Sequence, residues 1–216
     1  MRDKKKDAEM MAKKREEMLK TAYGLFSEKD INTVSMADIA RITGYGNTTL
    51  HRYFKNKPVL VVAVATWKWE EYLSERVDRR LDGDFEHMTA AQQLDFYLGA
   101  FIDLYSDHRD MLRFNQFFNI YVKAEKIDPE VLEPYQELVK ELYFRFDGIY
   151  EKAKKDHTVR TDISEQKLFT ATLHLMLATV TRYAVGLVYQ PRDGTTPEEE
   201  LGLLKDMLIR EYALSA

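Results

Sequence analysis

Residues 35–57 read SMADIARITGYGNTTLHRYFKNK, and this stretch predicts two short helices joined by a tight turn. Ser35 is of a type favoured at a helix N-cap, and Asp38 three positions later can complete a capping box. Gly44 can adopt a positive φ and so end the first helix of the pair. Together with the apolar stripe of residues 11–26, the pair forms a three-helix unit of the helix-turn-helix type. The second helix of such a pair can enter the DNA major groove.

The stretch divides into an inner and an outer face. The apolar positions expected to pack against the first helix are Met36, Ile39, Ala40, Ile42, Leu50 and Phe54. The polar residues left outward on the second helix are predicted to read bases, since Asn bonds adenine, Arg bonds guanine and Thr contacts a thymine methyl group. These predicted base-reading residues are Asn47, Thr48, His51 and Arg52. An ordinary helical hairpin with a solvated outer face is the alternative for the same pattern.

Residues at the ends of these helices are predicted to contact the DNA backbone. Such contacts supply salt-dependent affinity and fix the register without reading sequence. The predicted backbone-contacting residues are Ser35, Thr49, Tyr53, Lys55 and Lys57.

Composition limits the class of protein. The chain has 216 residues, of which 45% are hydrophobic and 31% charged, as in globular domains rather than disordered chains. The absence of cysteine excludes a disulfide framework, a thiolate metal site and a cysteine nucleophile. No apolar run approaches the ~18–20 residues that span a bilayer, and the N-terminus is too charged for a signal peptide. We therefore expect a cytoplasmic protein with no membrane partner.

The net charge of −4 conceals an asymmetry along the chain. Residues 1–57 hold 13 Lys/Arg and 8 Asp/Glu, whereas residues 58–216 hold 19 Lys/Arg and 28 Asp/Glu. A basic segment joined to an acidic body is typical of a protein that presents one end to a polyanion. Chance clustering of lysines on a solvated face is the alternative.

Helical periodicity continues along nearly the whole chain, and no run alternates as a strand does. Six further helices are predicted after Pro58, so the fold class is all-α with about nine helices. We predict two domains. Residues 1–57 form a three-helix helix-turn-helix DNA-binding domain, and residues 58–216 form a six-helix ligand-binding and dimerisation domain.

The run from Met18 to Leu60 resembles the N-terminal domain of the tetracycline-repressor (TetR) family of bacterial transcription regulators. The matching segments are MLKTAYGLF, INTVSMADIARITGY, TTLHRYF and KPVL, with no insertions between them. The chain departs from the family's usual residues at three positions, with Asp30 for Gly, Gly46 for Ser and His51 for Tyr. Because the residue at the His51 position often helps to touch DNA, the operator sequence cannot be borrowed from a relative.

The resemblance implies an all-helical homodimer in which the last two helices pair with the partner subunit. Apolar stripes on these helices suit such a four-helix bundle, although burial within the same subunit is an alternative. The residues predicted at the dimer interface are Leu175, Thr179, Tyr183, Leu187, Leu204, Leu208 and Tyr212.

The resemblance also implies a small-molecule pocket in the C-terminal domain. That domain is rich in aromatic residues and carries polar residues on otherwise apolar helices, so a ligand should be largely apolar or aromatic. The predicted pocket residues are Phe101, Tyr105, Gln116, Asn119, Tyr121, Phe146, Thr172 and His174. Aromatic stripes at helical spacing are also typical of a plain core, and His174 also suits a core histidine bonded by a neighbour.

The sequence thus predicts a DNA-binding transcriptional regulator. It would be a homodimeric repressor that binds a palindromic operator in double-stranded DNA and is released by a small-molecule effector. A DNA-bound structural or interaction protein with the same fold and no ligand is the alternative. No enzyme activity, cofactor or metal site is expected, because the five histidines are scattered and neither an H-E-x-x-H motif nor a Gly-rich phosphate loop occurs.

Overall fold

The computed structural model describes residues 4–80, 85–189 and 194–214, with the side chains of 4, 75–80 and 141–147 left aside. The described residues include nine α-helices. They are α1 (Lys4–Glu28), α2 (Met36–Thr43), α3 (Asn47–Tyr53), α4 (Lys57–Arg80), α5 (Ala90–Asp107), α6 (Arg109–Glu125), α7 (Pro129–Asp156), α8 (Glu165–Val185) and α9 (Pro197–Tyr212). Short 3₁₀ turns cover Ile31–Thr33 and Phe85–His87. The predicted all-α class is confirmed.

Helix starts follow from capping residues in the sequence. Ser35, Thr89 and Thr196 each accept a hydrogen bond from the backbone three residues on, and the side chain at that position returns one. Such reciprocal bonds satisfy donors that the first turn of a helix leaves without a partner. In α4, Pro58 lies in the first turn, where its missing N–H costs nothing.

The helices divide between two compact units. The first comprises residues 1–73 and 114–138, and the second comprises residues 74–113 and 139–216. Helices α4, α6 and α7 each contribute residues to both units. The predicted DNA-binding domain of residues 1–57 lies within the first unit, which also includes parts of the predicted second domain. The division at residue 57 therefore stays a prediction.

The first unit is built on the apolar faces of α1, α2 and α3. Phe26, Ile39, Leu50 and Phe54 are almost completely buried together. One predicted core residue does not join them, since Ile42 is 51% exposed. The physical reason is helical register: the inner face of α2 is centred between Ile39 and Ala40, and at 3.6 residues per turn Ile42 lies about 110° around the helix from that centre.

The second unit has its own core between α5, α8 and α9. Its buried side chains include Leu94, Leu98, Leu168 and Met176. After α7 the chain forms an isolated bridge between Val159 and Ala213, which ties the loop before α8 to the end of α9.

Candidate DNA-binding site

The first helix of the predicted pair is fixed at its start by Ser35. The Ser35 Oγ accepts a bond from the backbone N–H of Asp38 at 3.1 Å, and the Ser35 N–H donates to the Asp38 carboxylate at 3.1 Å. The bonds from Ser35 to the ionised carboxylate hold the pKa of Asp38 below its usual value, with a smaller contribution from Arg41. Ser35 is exposed, but its hydroxyl is engaged within this cap.

The turn between α2 and α3 depends on Gly44 and Tyr45. Gly44 has φ +71°, in the left-handed region where a side chain is disfavoured. The Tyr45 hydroxyl donates to the carboxylate of Glu17 in α1, and Lys14 Nζ lies 5.7 Å from the centre of its ring. The bond to Glu17 raises the pKa of Tyr45, followed by burial. The turn is therefore attached to α1 by a side chain as well as by its helices.

The four predicted base-reading residues lie together on the outer face of α3. Leu50 and Phe54 are buried, whereas Asn47, Thr48, His51 and Arg52 are all exposed. Positions 47, 48, 51 and 52 follow the i, i+4 spacing that brings side chains to one face. This face offers amide, hydroxyl, imidazole and guanidinium groups, the donor types that read base edges in the major groove. The outer face predicted from the sequence is present.

The residues predicted to contact the DNA backbone differ in how far their side chains are exposed to solvent. Lys55 is exposed just beyond α3, and Thr49 is half-buried. Tyr53 is half-buried too, and its hydroxyl is buried with no hydrogen-bond partner in the described part of the chain. That hydroxyl therefore points inward and does not present a donor to a phosphate.

Lys57 is held inside the first unit rather than extended into solvent. Its Nζ donates to the backbone oxygen of Asn32 at 3.3 Å and lies 5.6 Å from the centre of the Tyr121 ring. Burial lowers the pKa of Lys57, although the carboxylates of Glu125 and Asp30 act in the opposite direction. The ammonium group thus connects α4 with the segment before α2 and with α6, a role that sequence reasoning missed.

Other contacts around α3 were also not predicted. The Arg15 guanidinium lies 5.5 Å from the ring centre of Phe54, and that of Arg52 lies 5.8 Å from the ring centre of Tyr53. Arg15, near the middle of α1, therefore lies next to the C-terminal end of the helix that carries the outer face. The excess of basic residues in the first 57 positions was the signal available in the sequence.

The predicted pocket residues are divided between the two compact units. Gln116, Asn119 and Tyr121 belong to the first unit, whereas Phe101, Tyr105, Thr172 and His174 belong to the second. Asn119 and His174 are exposed, and the side chain of Phe146 lies outside the described residues. An open depression of about 420 Å³ in the second unit has a different lining, formed by Met88, Ala91, Gln92, Asp95 and Phe96.

The residues predicted at the dimer interface are divided between buried, half-buried and exposed positions. Leu208 and Tyr212 are buried in the core of their own unit, because α9 packs against α5 and α8 through that face. Leu175 is 48% exposed, and two residues outside the prediction, Leu203 and Met207, are each 56% exposed. Thr179, Tyr183, Leu187 and Leu204 are half-buried. The exposed apolar face of α8 and α9 therefore differs from the predicted one.

A metal site and a membrane-spanning helix are two other features for which the described residues can be searched. No group of three or more His, Asp or Glu side chains that could hold a metal ion occurs among them. Helix α8 is long and apolar enough to cross a membrane by length and composition alone, and 33% of its most apolar window is buried. In the second unit this helix packs against α5 and α9.

Comparisons with known proteins agree with this geometry. Residues 18–64 match the family model of bacterial regulatory proteins of the tetR family. The uncharacterized HTH-type transcriptional regulator YvdT of Bacillus subtilis (strain 168) is 25% identical over 176 residues, which cover 80% of this chain and 84% of YvdT.

Solved structures share the fold over most of the chain. A putative transcriptional regulator from Saccharomonospora viridis in complex with choline has a TM-score of 0.72 at 18% identity, covering 94% of this chain and 100% of the other. FadR from Bacillus subtilis in complex with stearoyl-CoA has a TM-score of 0.64 at 17% identity, with coverages of 90% and 95%. Residues 18–64 therefore form a helix-turn-helix domain of the tetR type, and the relatives that this chain resembles over most of its length are DNA-binding transcriptional regulators, not enzymes.

Proposed function

We propose that the protein is a homodimeric repressor that binds a palindromic operator through the outer face of α3. The observation that carries this proposal is the set Asn47, Thr48, His51 and Arg52, exposed together on a helix whose opposite side is buried. Lys55 would add a phosphate contact beside them. Two subunits would read half-sites about 34–36 Å apart on one face of the duplex. Binding to chromosomal DNA would take place in the bacterial cytoplasm.

Dimerisation through α8 and α9 is supported by their exposed apolar side chains. Leu175, Leu203 and Met207 are large, apolar and about half exposed on two helices that pack on each other. Exposed apolar side chains that gather into a large patch usually mark an interface. A partner subunit that covers it would also account for the membrane-like hydropathy of α8 in a regulator.

A small-molecule effector is the least direct part of the proposal. Thr172 on α8 is buried, and its Oγ1 has no hydrogen-bond partner among the described residues. A buried hydroxyl without a partner is costly unless something else bonds it. Two regulators of the same fold were solved with small molecules, one with choline and one with stearoyl-CoA. We propose a largely apolar or aromatic ligand whose polar atom is bonded by Thr172.

Selection of bound duplexes from a random pool tests the central proposal. A recovered palindrome would support the dimer, the half-site and sequence-specific reading together. Leu175→Glu should then abolish dimerisation in light scattering and weaken operator binding, because a charge would be buried in the interface. Ile120→Glu is the matched control, since Ile120 is equally exposed but lies on α6. A dimer unaffected by Leu175→Glu would reject this interface.

The effector is tested on the same operator complex. Stearoyl-CoA and choline are the first compounds to add, and the proposal expects an apolar compound to reduce operator affinity. By linkage, operator DNA must weaken binding of that compound by the same factor. If a broad apolar and aromatic panel leaves both affinities unchanged, the ligand-free DNA-bound protein becomes the better description.

A further inference from the structure

The N-terminal part of α1 extends beyond the core that its C-terminal part builds. Met18 is the first buried residue of the helix, and residues 5–17 are all exposed or half-exposed. At 1.5 Å per residue, residues 4–17, which we name the arm, extend about 20 Å along the helix axis. The arm therefore adds nothing to the apolar core of its own subunit.

The arm is polar and has an excess of positive charge. It holds six Lys/Arg and four Asp/Glu. Among the carboxylates, Glu16 pairs with Lys20 at 2.8 Å and Glu17 accepts from Tyr45. Because basic residues outnumber acidic ones, the net charge of the arm is positive.

Part of this positive charge lies on one defined face. Lys6, Met10, Lys13 and Glu17 are spaced by four, three and four residues, which puts them on the same side of a helix. Glu17 shows where this side leads, because it bonds the Tyr45 hydroxyl in the turn before α3. Lys14, its neighbour, also lies over the Tyr45 ring. The face with Lys6 and Lys13 therefore continues from the side of α1 next to the start of α3.

That position is the one where the backbone of a bound duplex would run. Tyr45 is followed directly by Gly46, the N-cap of α3, and then by Asn47 and Thr48 of the outer face. When α3 enters the major groove, phosphates line both of its sides at this end. Lysines on a straight helix that passes the same point are suited to phosphates and carry no sequence information.

Resting on the proposed DNA-binding function, we propose that the arm is a second DNA-contacting surface. Lys6 and Lys13 bind phosphates outside the contacts made by α3 and lengthen the footprint of each subunit. The double variant Lys6→Gln/Lys13→Gln tests this without touching the core, since both side chains are exposed. Lys123→Gln/Lys167→Gln removes the same charge from exposed positions on α6 and α8 and serves as the matched control.

Binding should be followed by fluorescence anisotropy over a salt series. The probes are a duplex recovered from the random pool and a mixed-sequence duplex, because phosphate contacts also support non-specific binding. Loss of two phosphate contacts makes the slope of log affinity against log salt shallower by about 1.8 per subunit. Between about 50 and 200 mM salt, wild-type affinity should then fall about 12-fold more per bound subunit than that of the variant.

The outcomes separate this inference from the function on which it rests. A shallower slope for Lys6→Gln/Lys13→Gln on both duplexes, with the control equal to wild type, supports the arm contact. A wild-type slope for the arm variant, or an equally shallow slope for the control, overturns the arm contact and leaves operator binding intact. A wild-type protein that binds neither duplex at low salt overturns the proposed function and the arm contact together.

Discussion

Asp156 is expected to be a main stabilising residue of the second unit, although it lies at the end of α7 and on its surface. Its carboxylate accepts the backbone N–H of Ala90 at 2.7 Å and both the N–H and the hydroxyl of Thr158, at 3.0 and 2.9 Å. Thr158 Oγ1 in turn accepts the N–H of Ala91 at 3.0 Å. One side chain therefore orders the loop after α7 and satisfies first-turn donors of α5, 66 residues earlier.

The change Asp156→Ala removes all three bonds to the carboxylate. Thr158 is half-exposed and can bond water instead, but Ala90 is fully buried and its N–H loses its partner. Loss of a helix cap costs about 0.5–2 kcal/mol, and an unsatisfied buried donor about 1–3 kcal/mol. We expect the free energy of unfolding to fall by about 2–3 kcal/mol, which corresponds to a Tm lower by roughly 4–12 °C.

Urea unfolding at fixed protein concentration measures this loss, since the stability of the proposed dimer would depend on concentration. Glu151→Ala is the matched control on α7, because its carboxylate pairs with Lys154 at the surface, where both side chains are about half exposed. Such a pair contributes about 0–1 kcal/mol. Equal losses for Asp156→Ala and Glu151→Ala would refute the capping role.

The same carboxylate predicts a pH dependence. Burial alone raises the pKa of Asp156, but the bonds from Ala90 and Thr158 outweigh it, so the pKa lies below its usual value. The unfolded chain then binds the proton first, so the stabilisation is present above about pH 4, the pKa of an unfolded Asp, and is lost as pH falls through the lowered pKa. The stability difference between wild type and Asp156→Asn should therefore shrink as the pH falls below about 4. A difference that stays constant would contradict the assigned bonds.

Three further changes test the first unit. Arg52→Ala should relax sequence choice at one operator position, with a loss of about 1–3 kcal/mol of discrimination, measured by binding to single-base variants. Gly44→Ala should destabilise the protein by about 1–2 kcal/mol in thermal unfolding, because φ is positive there while a Cβ would meet no atom within 4 Å. Lys57→Met should lower Tm through loss of the bond to Asn32, whereas Lys55→Met should leave Tm unchanged and reduce only DNA affinity and its salt slope.

Local features of the fold could be predicted from the sequence because their causes are local. The Ser35–Asp38 capping box, the left-handed Gly44 and the outward face of α3 all depend on residues within a few positions of one another. Helical period alone was enough for the all-α class. The same local pattern could not decide that Ile42 is exposed, since that depends on which side of α2 meets α1.

Contacts between distant parts of the chain were beyond the sequence pattern. Nothing around Lys57 indicates a bond to Asn32, and nothing around Asp156 indicates that it caps α5. The apolar stripes of α8 and α9 show that each helix has faces to bury, but not which face the same subunit uses. Leu208 is buried in the core of its own subunit, whereas Met207, one position away, is exposed. The predicted dimer face of α9 therefore differs from the exposed face by one residue along the helix.

The short length of α3 explains why its distant contacts matter for DNA reading. An isolated helix of seven residues is not stable in water, so α3 keeps its position only through what surrounds it. Leu50 fixes its inner side, Tyr45 attaches its start to Glu17, and Lys57 holds the segment beyond its end to Asn32. We expect a change at any of these positions to shift all four outward side chains together. Operator choice should therefore depend on α1 and the start of α4 as well as on the residues that we propose face the bases.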